Sequence, residues 1–200
     1  MKSGLTAIIL AGGKSSRMGE DKALIPIQGV PMLQRVYQAA ASIADTVYVV
    51  TSWQERYQHL LPTSCHFIQE MPLSQEGPLV GFAQALTQVQ TDWVLLLACD
   101  LPRLRVEVLQ EWVVGLDEVD YEAIAYLVQN SKGWEPLCGF YRRRCLPELM
   151  EYVNKGGRSF QSWLKQQRVQ VLPLSEPEML FNCNTKEDLD FQVYGLRIFF

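Results

Sequence analysis

The chain has 200 residues, of which 48% are hydrophobic and 20% are charged, and its net charge is −4. This balance is typical of a soluble globular protein with a sizeable core, and it lacks the overall positive charge of a general nucleic-acid binder. No apolar segment is long enough to span a membrane, so neither a membrane nor nucleic acid is expected as a partner.

Short apolar runs predict six β-strands, over residues 5–10, 46–50, 65–69, 93–98, 123–128 and 138–142. Several runs show no polar alternation, which is typical of parallel strands covered on both faces. Helical periodicity predicts helices over residues 31–43, 78–90, 103–114, 145–154, 159–167 and 185–193. In the second helix five residues would share one buried face: Leu79, Phe82, Ala83, Leu86 and Val89. The order predicts an α/β fold with a doubly wound, mostly parallel sheet, in a single domain over residues 1–200.

Residues 10–22 read LAGGKSSRMGEDK and directly follow the first predicted strand. Gly12 and Gly13 allow a sharp turn and a close approach to a ligand, and N–H groups that point into such a turn bind anions. Three basic side chains add positive charge: Lys14, Arg17 and Lys22. The stretch therefore predicts a polyphosphate site, although it matches neither the P-loop nor the dinucleotide-binding motif. The alternative is a flexible surface loop whose charges face water.

Asp100 follows the most apolar run of the chain, in the segment ACDLP at residues 98–102. The carboxyl ends of parallel strands meet at one edge of the sheet, so this carboxylate would lie beside the loop of residues 10–22. Mg²⁺ is commonly held by one or two carboxylates together with substrate phosphates. The pair of features predicts a metal–nucleotide site, and the alternative is that Asp100 only caps the next turn.

The cysteines and histidines do not predict a metal centre. There are five cysteines and two histidines, and no spacing is typical of zinc ligands. An odd number of unpaired cysteines predicts reduced thiols, and the first apolar run is too short for a signal peptide. We therefore expect a cytoplasmic protein.

Six segments together resemble the molybdenum cofactor guanylyltransferases. They are LAGGKSSRMGEDK, GPLVG (77–81), ACDLP, EPLCGFYRR (135–143), GGRSFQSWL (156–164) and NCNTKEDL (182–189). This family belongs to the nucleotidyltransferases with a glycosyltransferase-A-like α/β fold. The first and third segments are shared with relatives that transfer cytidylyl groups or sugar nucleotides, whereas the last three are more specific to the molybdopterin branch.

The resemblance implies a role for each motif residue. Leu10, Ala11, Gly12 and Gly13 would hold the nucleotide, Lys22 and Arg17 would bind its triphosphate, and Asp100 would bind Mg²⁺. Glu70, Gly77, Pro78 and Leu79 would lie near the nucleotide. Asn182 and Asn184 would face the pterin-bearing substrate, and Arg158 would meet its terminal phosphate. Asp100, Lys22 and Arg17 would be the catalytic residues.

The implied reaction is the transfer of GMP from GTP to the terminal phosphate of molybdopterin or molybdenum-loaded molybdopterin, with release of pyrophosphate. The resemblance also implies transient contact with cofactor-biosynthesis proteins or recipient molybdoenzymes. Three alternatives share part of the pattern: a transferase that uses CTP or a sugar phosphate, a non-catalytic nucleotide- or cofactor-binding protein, and an α/β interaction module.

The chain departs from the family pattern at three places. Glu70 stands where the family usually has aspartate, and residues 51–53 read TSW where an asparagine that contacts the base is expected. Lys186 replaces a proline at a predicted helix start, which should have little effect. Glu70 can still accept hydrogen bonds but differs from aspartate in reach, and the change at residues 51–53 leaves the guanine contact open.

Overall fold

The computed structural model describes residues 4–12, 21–70, 77–174 and 176–180. A seven-stranded sheet has the order β5-β4-β1-β6-β8-β7-β9, and a two-stranded sheet pairs β2 with β3. The strands are β1 (Leu5–Leu10), β2 (Pro26–Ile27), β3 (Val30–Pro31), β4 (Thr46–Thr51), β5 (His66–Gln69), β6 (Trp93–Ala98), β7 (Ala125–Asn130), β8 (Gly133–Arg142) and β9 (Val169–Val171).

Six α-helices lie within the described residues. They are α1 (Met32–Ala41), α2 (Gln54–Tyr57), α3 (Pro78–Leu86), α4 (Val106–Val114), α5 (Leu146–Asn154) and α6 (Phe160–Leu164). Single 3₁₀ turns occupy Lys22–Leu24, Gly115–Glu118, Arg143–Cys145 and Pro177–Leu180. Within the described ranges, no helix has the length and apolar character needed to cross a membrane.

The sheet is mostly parallel, because β5, β4, β1 and β6 run in one direction. β8 runs antiparallel to both β6 and β7, and β9 is parallel to β7. The prediction of a doubly wound α/β fold is thus confirmed. One consequence governs the site: β1, β4 and β6 all end at the same edge of the sheet, where parallel α/β sheets bind ligands.

Helices cover both faces of the sheet and bury two hydrophobic clusters. One cluster joins α1 and α4 to the sheet, and the other joins α3, α5 and α6 to its opposite face. All six residues of β1 and of β6 are buried, because these central strands are covered on both sides. The predicted apolar face is also confirmed, since all five residues are at most 2% exposed: Leu79, Phe82, Ala83 and Leu86 in α3, and Val89 just beyond its end.

The largest difference from the predicted strands is in β8, which begins at Gly133 rather than at residue 138. Pro136 argues against a strand there, because proline cannot donate to a ladder. In the structure, Pro136 lies in a β-bulge of β8. Pairing with β7 jumps from Leu127 opposite Gly139 to Gln129 opposite Trp134, so the intervening β8 residues bulge out of the ladder.

The other differences are smaller. β2, β3, α2 and β9 were not predicted, because runs of two to four residues carry too little periodicity to detect. Pro31 does not start α1 but caps it, since it pairs with Pro26 in the hairpin. α3 ends at Leu86 rather than residue 90, and α6 spans Phe160–Leu164 rather than 159–167. The predicted helix 185–193 lies outside the described residues.

Gly139 lies opposite Leu127, where β8 pairs with β7. We expect Gly139→Ala to destabilise the protein. A β-carbon there would meet Leu127 Cδ2 at 2.5 Å and the carbonyl oxygen of Tyr126 at 2.9 Å. Such overpacking typically costs about 1–3 kcal/mol, more than the ~0.4–1 kcal/mol gained by restricting the unfolded chain. Denaturant unfolding measures this, and Gly115→Ala is the matched control, because its added methyl has a nearest contact of 3.4 Å. A stability equal to the control would contradict the packing of β7 on β8.

Candidate active site

A cleft of about 230 Å³ opens at the carboxyl edge of the sheet. Backbone hydrogen bonds extend the parallel pairing beyond β1, from Ala11 N to Val50 O and from Cys99 N to Leu10 O. The ends of β1 and β6 line the cleft, and β4 pairs alongside β1. Its lining residues are Leu10, Ala11, Gly12, Asp21, Lys22, Ala23, Tyr57, Pro78, Ala98, Cys99, Asp100 and Leu137. Six of the residues proposed from the sequence are among them.

Lys22 and Asp100 meet in the cleft although 78 positions separate them in the sequence. The Nζ atom of Lys22 lies 3.4 Å from Oδ2 of Asp100, and their side chains are 18% and 20% exposed. An ion pair that is still open to solvent keeps both charges available to a ligand. The lysine can bind a phosphate as a point charge, and the carboxylate can bind a hard cation.

Glu70 faces the first turn of the cleft. A β-carbon on Gly12 would lie only 2.6 Å from Glu70 Oε2, so only glycine fits here without moving the carboxylate. The Oγ of Ser52 donates to the same oxygen at 3.2 Å. The glutamate that replaces the family's aspartate therefore lies against Gly12, and Ser52 orients it.

The start of α3 forms another wall. Gly77 precedes the helix with φ of +106°, a conformation that favours glycine, and Pro78 is the first helical residue. Pro78 lines the cleft. Leu79 is fully buried in the core, so its side chain does not face the cleft.

Arg158 lies in the turn between α5 and α6. Its Nη1 donates to the carbonyl oxygens of Val153 and Gly157, both at 2.8 Å. These bonds hold the turn after the helix, and Arg158 does not line the cleft described above. Among the other predicted site residues, Gly13, Arg17, Asn182 and Asn184 lie outside the described residues.

Gln161, in the segment of residues 156–164, is tied to Trp134, the residue directly before the segment of residues 135–143. Gln161 Nε2 donates to Trp134 O at 2.6 Å, and Trp134 N donates to Gln161 Oε1 at 3.2 Å. This pair joins α6 to the start of β8. The bulge that follows in β8 includes Leu137, which lines the cleft.

The sequence reasoning missed Asp21 and Tyr57 as site residues. Asp21 Oδ1 accepts from Ala23 N at 3.2 Å, and its Oδ2 accepts from the Tyr57 hydroxyl at 2.7 Å. The position of Asp21 directly before Lys22 was a usable signal. No sequence pattern connects Tyr57, which is 36 positions away, with this turn.

Cys99 also lines the cleft, next to Asp100. The pKa of the Cys99 thiol is raised, mainly because the group is buried and further because of the neighbouring charge of Asp100. The thiol is therefore protonated at neutral pH and is a poor nucleophile.

Asp100 can contribute one carboxylate to a cation site. Across the described part of the chain, no group of three or more histidine, cysteine, aspartate or glutamate side chains could hold a metal ion by itself. Mg²⁺ typically keeps several waters and binds through one or two carboxylates plus substrate phosphates. A lone carboxylate beside a lysine fits that mode of binding.

Comparison with known proteins gives one family over most of the chain. The family model of the MobA-like NTP transferase domain matches residues 7–171. A Nostoc protein named "Probable molybdenum cofactor guanylyltransferase" is 66% identical over 92% of this chain and 88% of its own length. A Synechococcus elongatus protein of the same name is 44% identical over 91% and 94% of the two chains.

A solved structure supports the fold. The crystal structure of molybdopterin-guanine dinucleotide biosynthesis protein A from Archaeoglobus fulgidus superposes with a TM-score of 0.77. The match covers 96% of this chain and 98% of the other, at 21% identity. At that identity the likeness shows a shared fold.

Proposed function

Because this chain belongs to the MobA-like NTP transferase family, and within it to the molybdenum cofactor guanylyltransferases, we infer that it is a nucleotidyltransferase that attaches a guanylyl group to the molybdenum cofactor. The observation that carries the mechanism is the pair of Lys22 and Asp100 at the carboxyl edge of the sheet. We take residues 1–200 as one nucleotidyltransferase domain.

The donor in this proposal is GTP. Backbone groups of Leu10, Ala11 and Gly12 would hold the nucleotide, and Gly13 would continue the same turn. Lys22 and Arg17 would bind the triphosphate. Support comes from the cleft, where the first three residues and Lys22 lie together. Glu70, oriented by Ser52, is a hydrogen-bond acceptor near the nucleotide and replaces the expected aspartate.

The proposed cofactor is Mg²⁺, held by Asp100 and by the substrate phosphates. When bound, Mg²⁺ neutralises phosphate charge and polarises the phosphoryl oxygens. Lys22 supplies a positive charge 3.4 Å from the same carboxylate. Its role is to bind the triphosphate and to offset the negative charge that grows on the leaving pyrophosphate.

The reaction exchanges one phosphorus–oxygen bond for another. An oxygen of the terminal phosphate of molybdopterin attacks the α-phosphorus of GTP. The bond from the α-phosphorus to the bridging oxygen breaks, and pyrophosphate leaves with that electron pair. Phosphate oxygens are anionic at neutral pH, so no strong base is required. Catalysis would rest on positioning and on charge neutralisation.

The acceptor would occupy the side of the cleft that Leu137 of β8 lines. Leu137 offers an apolar surface there, and the hydrogen bonds between Trp134 and Gln161 tie the start of the same strand to α6. Asn182 and Asn184 would face the pterin, and Arg158 would meet its phosphate.

We propose transient contact with other cofactor-biosynthesis proteins or recipient molybdoenzymes. We also propose a cytoplasmic location, which the free thiols of Cys65, Cys99, Cys138 and Cys145 support.

Nucleotide preference tests the donor assignment. We expect GTP with Mg²⁺ to raise the melting temperature by several degrees, because a ligand at about a hundred times its Kd stabilises by roughly 2.7 kcal/mol. CTP, ATP and UTP at equal concentration should have smaller effects. The matched control is each nucleotide with EDTA. A larger shift with CTP would support the cytidylyl alternative and contradict the guanylyl assignment.

A further inference from the structure

We propose that Tyr57 is a positioning residue for the transfer reaction, and that it acts through Asp21 to hold Lys22 in the cleft. The inference rests on the proposed function, since it needs Lys22 to bind the triphosphate. It assigns a role to a side chain that no sequence motif singled out.

The contacts form a chain from the core to the cleft. Tyr57 ends α2 and is 1% exposed, packed in the cluster that includes β1 and α1. Its hydroxyl donates to Asp21 Oδ2 at 2.7 Å, and Arg56 Nη1 lies 3.7 Å from the same oxygen. The ring is therefore a fixed anchor, and its hydroxyl reaches the edge of the cleft.

Asp21 links Tyr57 to the turn that begins at Lys22. Its Oδ1 accepts from Ala23 N and caps the 3₁₀ turn Lys22–Leu24. The carboxylate is thus held on both oxygens, one by the turn that it caps and one by Tyr57. Because Lys22 is the first residue of that turn, the direction of its side chain toward Asp100 depends on the same cap.

The tyrosine remains a donor under working conditions. The pKa of the Tyr57 hydroxyl lies far above its ordinary value, mainly because the group is buried and further because of its hydrogen bond to Asp21. The hydroxyl therefore stays protonated wherever the protein is folded near neutral pH. Asp21, as a carboxylate, can only accept, so the bond has one possible direction.

The simpler role for this hydrogen bond is to satisfy a buried hydroxyl, without effect on the reaction. A double-mutant cycle separates the two roles, because only a positioning role is coupled to Lys22. Tyr57→Phe keeps the buried ring and deletes the hydroxyl. Tyr141→Phe is the matched control: Tyr141 is fully buried and donates to Pro136 O at 2.8 Å, with no contact to the turn.

The experiment measures pyrophosphate release from Mg·GTP and molybdopterin, together with GTP affinity and melting temperature, in four proteins: wild type, Tyr57→Phe, Lys22→Met and the double variant. We expect Tyr57→Phe to lower kcat about tenfold, as for loss of a hydrogen bond to a charged group. In the Lys22→Met background the same change should have no further effect on kcat or on GTP affinity. Tyr141→Phe should change kcat by the same factor in both backgrounds.

An equal kcat loss from Tyr57→Phe in both backgrounds would overturn the positioning role, as would no loss at all. Asp21→Asn is the second variant, because an amide has a single acceptor oxygen and cannot accept from both Tyr57 and Ala23 N, while the buried ring is untouched. It should show the same coupling to Lys22. If Lys22→Met alone left turnover and GTP affinity unchanged, the failure would lie in the proposed function of Lys22.

Discussion

Asp100→Asn is expected to lower turnover by at least about a hundredfold while the protein stays folded. The amide has the shape of the carboxylate but carries no charge, so it is a weak ligand for Mg²⁺. Loss of metal-assisted charge stabilisation is worth several kcal/mol, and each 1.36 kcal/mol is a factor of ten in rate. Asp100 follows β6 at the rim of the cleft and is 20% exposed, so the substitution leaves the core intact.

GTP binding gives this variant a second signature. Without Mg²⁺, the carboxylate repels the triphosphate, so Asp100→Asn should bind GTP at least as tightly as the wild type. Added Mg²⁺ should then improve binding much less than it does in the wild type. Isothermal titration with and without Mg²⁺ measures this, with the exposed Asp117→Asn as the matched control. Full turnover with an unchanged dependence on Mg²⁺ would exclude Asp100 as the metal ligand.

Lys22→Met is expected to weaken GTP binding by about tenfold to a hundredfold and to lower kcat as well. Methionine keeps most of the apolar stem but removes the charge that faces the phosphates. Binding to the ground state and offsetting charge on the leaving pyrophosphate both depend on that charge, so KM and kcat should change together. The melting temperature should change little, because partly exposed ion pairs contribute at most ~1 kcal/mol.

Lys155→Met is the matched control for this variant. Lys155 is 72% exposed and pairs with Glu151 one helical turn away, so the same change in net charge occurs away from the cleft. Its kinetics should equal those of the wild type. If both lysine variants bind GTP equally well, the triphosphate is not held by Lys22.

The central strands could be predicted to the residue from the sequence. β1 and β6 match the apolar runs 5–10 and 93–98 because both faces of a central parallel strand are covered, which requires an uninterrupted apolar run. Since both strands end at one edge, the meeting of Lys22 and Asp100 could also be anticipated. The site was predictable because both strands end at one edge, which places the loop of residues 10–22 beside Asp100.

What the sequence could not predict depends on contacts between distant or locally irregular segments. The bulge of β8 lets Pro136 sit inside a strand, and it brings Leu137 to the cleft. The bond from Tyr57 to Asp21 joins two turns that have no shared periodicity or motif. Such features arise from the three-dimensional packing and leave no pattern of spacing in the sequence.

Product formation from defined substrates tests the central claim most directly. The protein would be incubated with Mg²⁺, molybdopterin and either GTP or CTP. The products would then be separated, identified by mass spectrometry and quantified. We predict that GTP yields pyrophosphate and a guanine dinucleotide of molybdopterin in equal amounts, and that CTP yields much less of its counterpart. Binding of Mg·GTP without any pyrophosphate release in the presence of molybdopterin would contradict the claim that this chain is a guanylyltransferase.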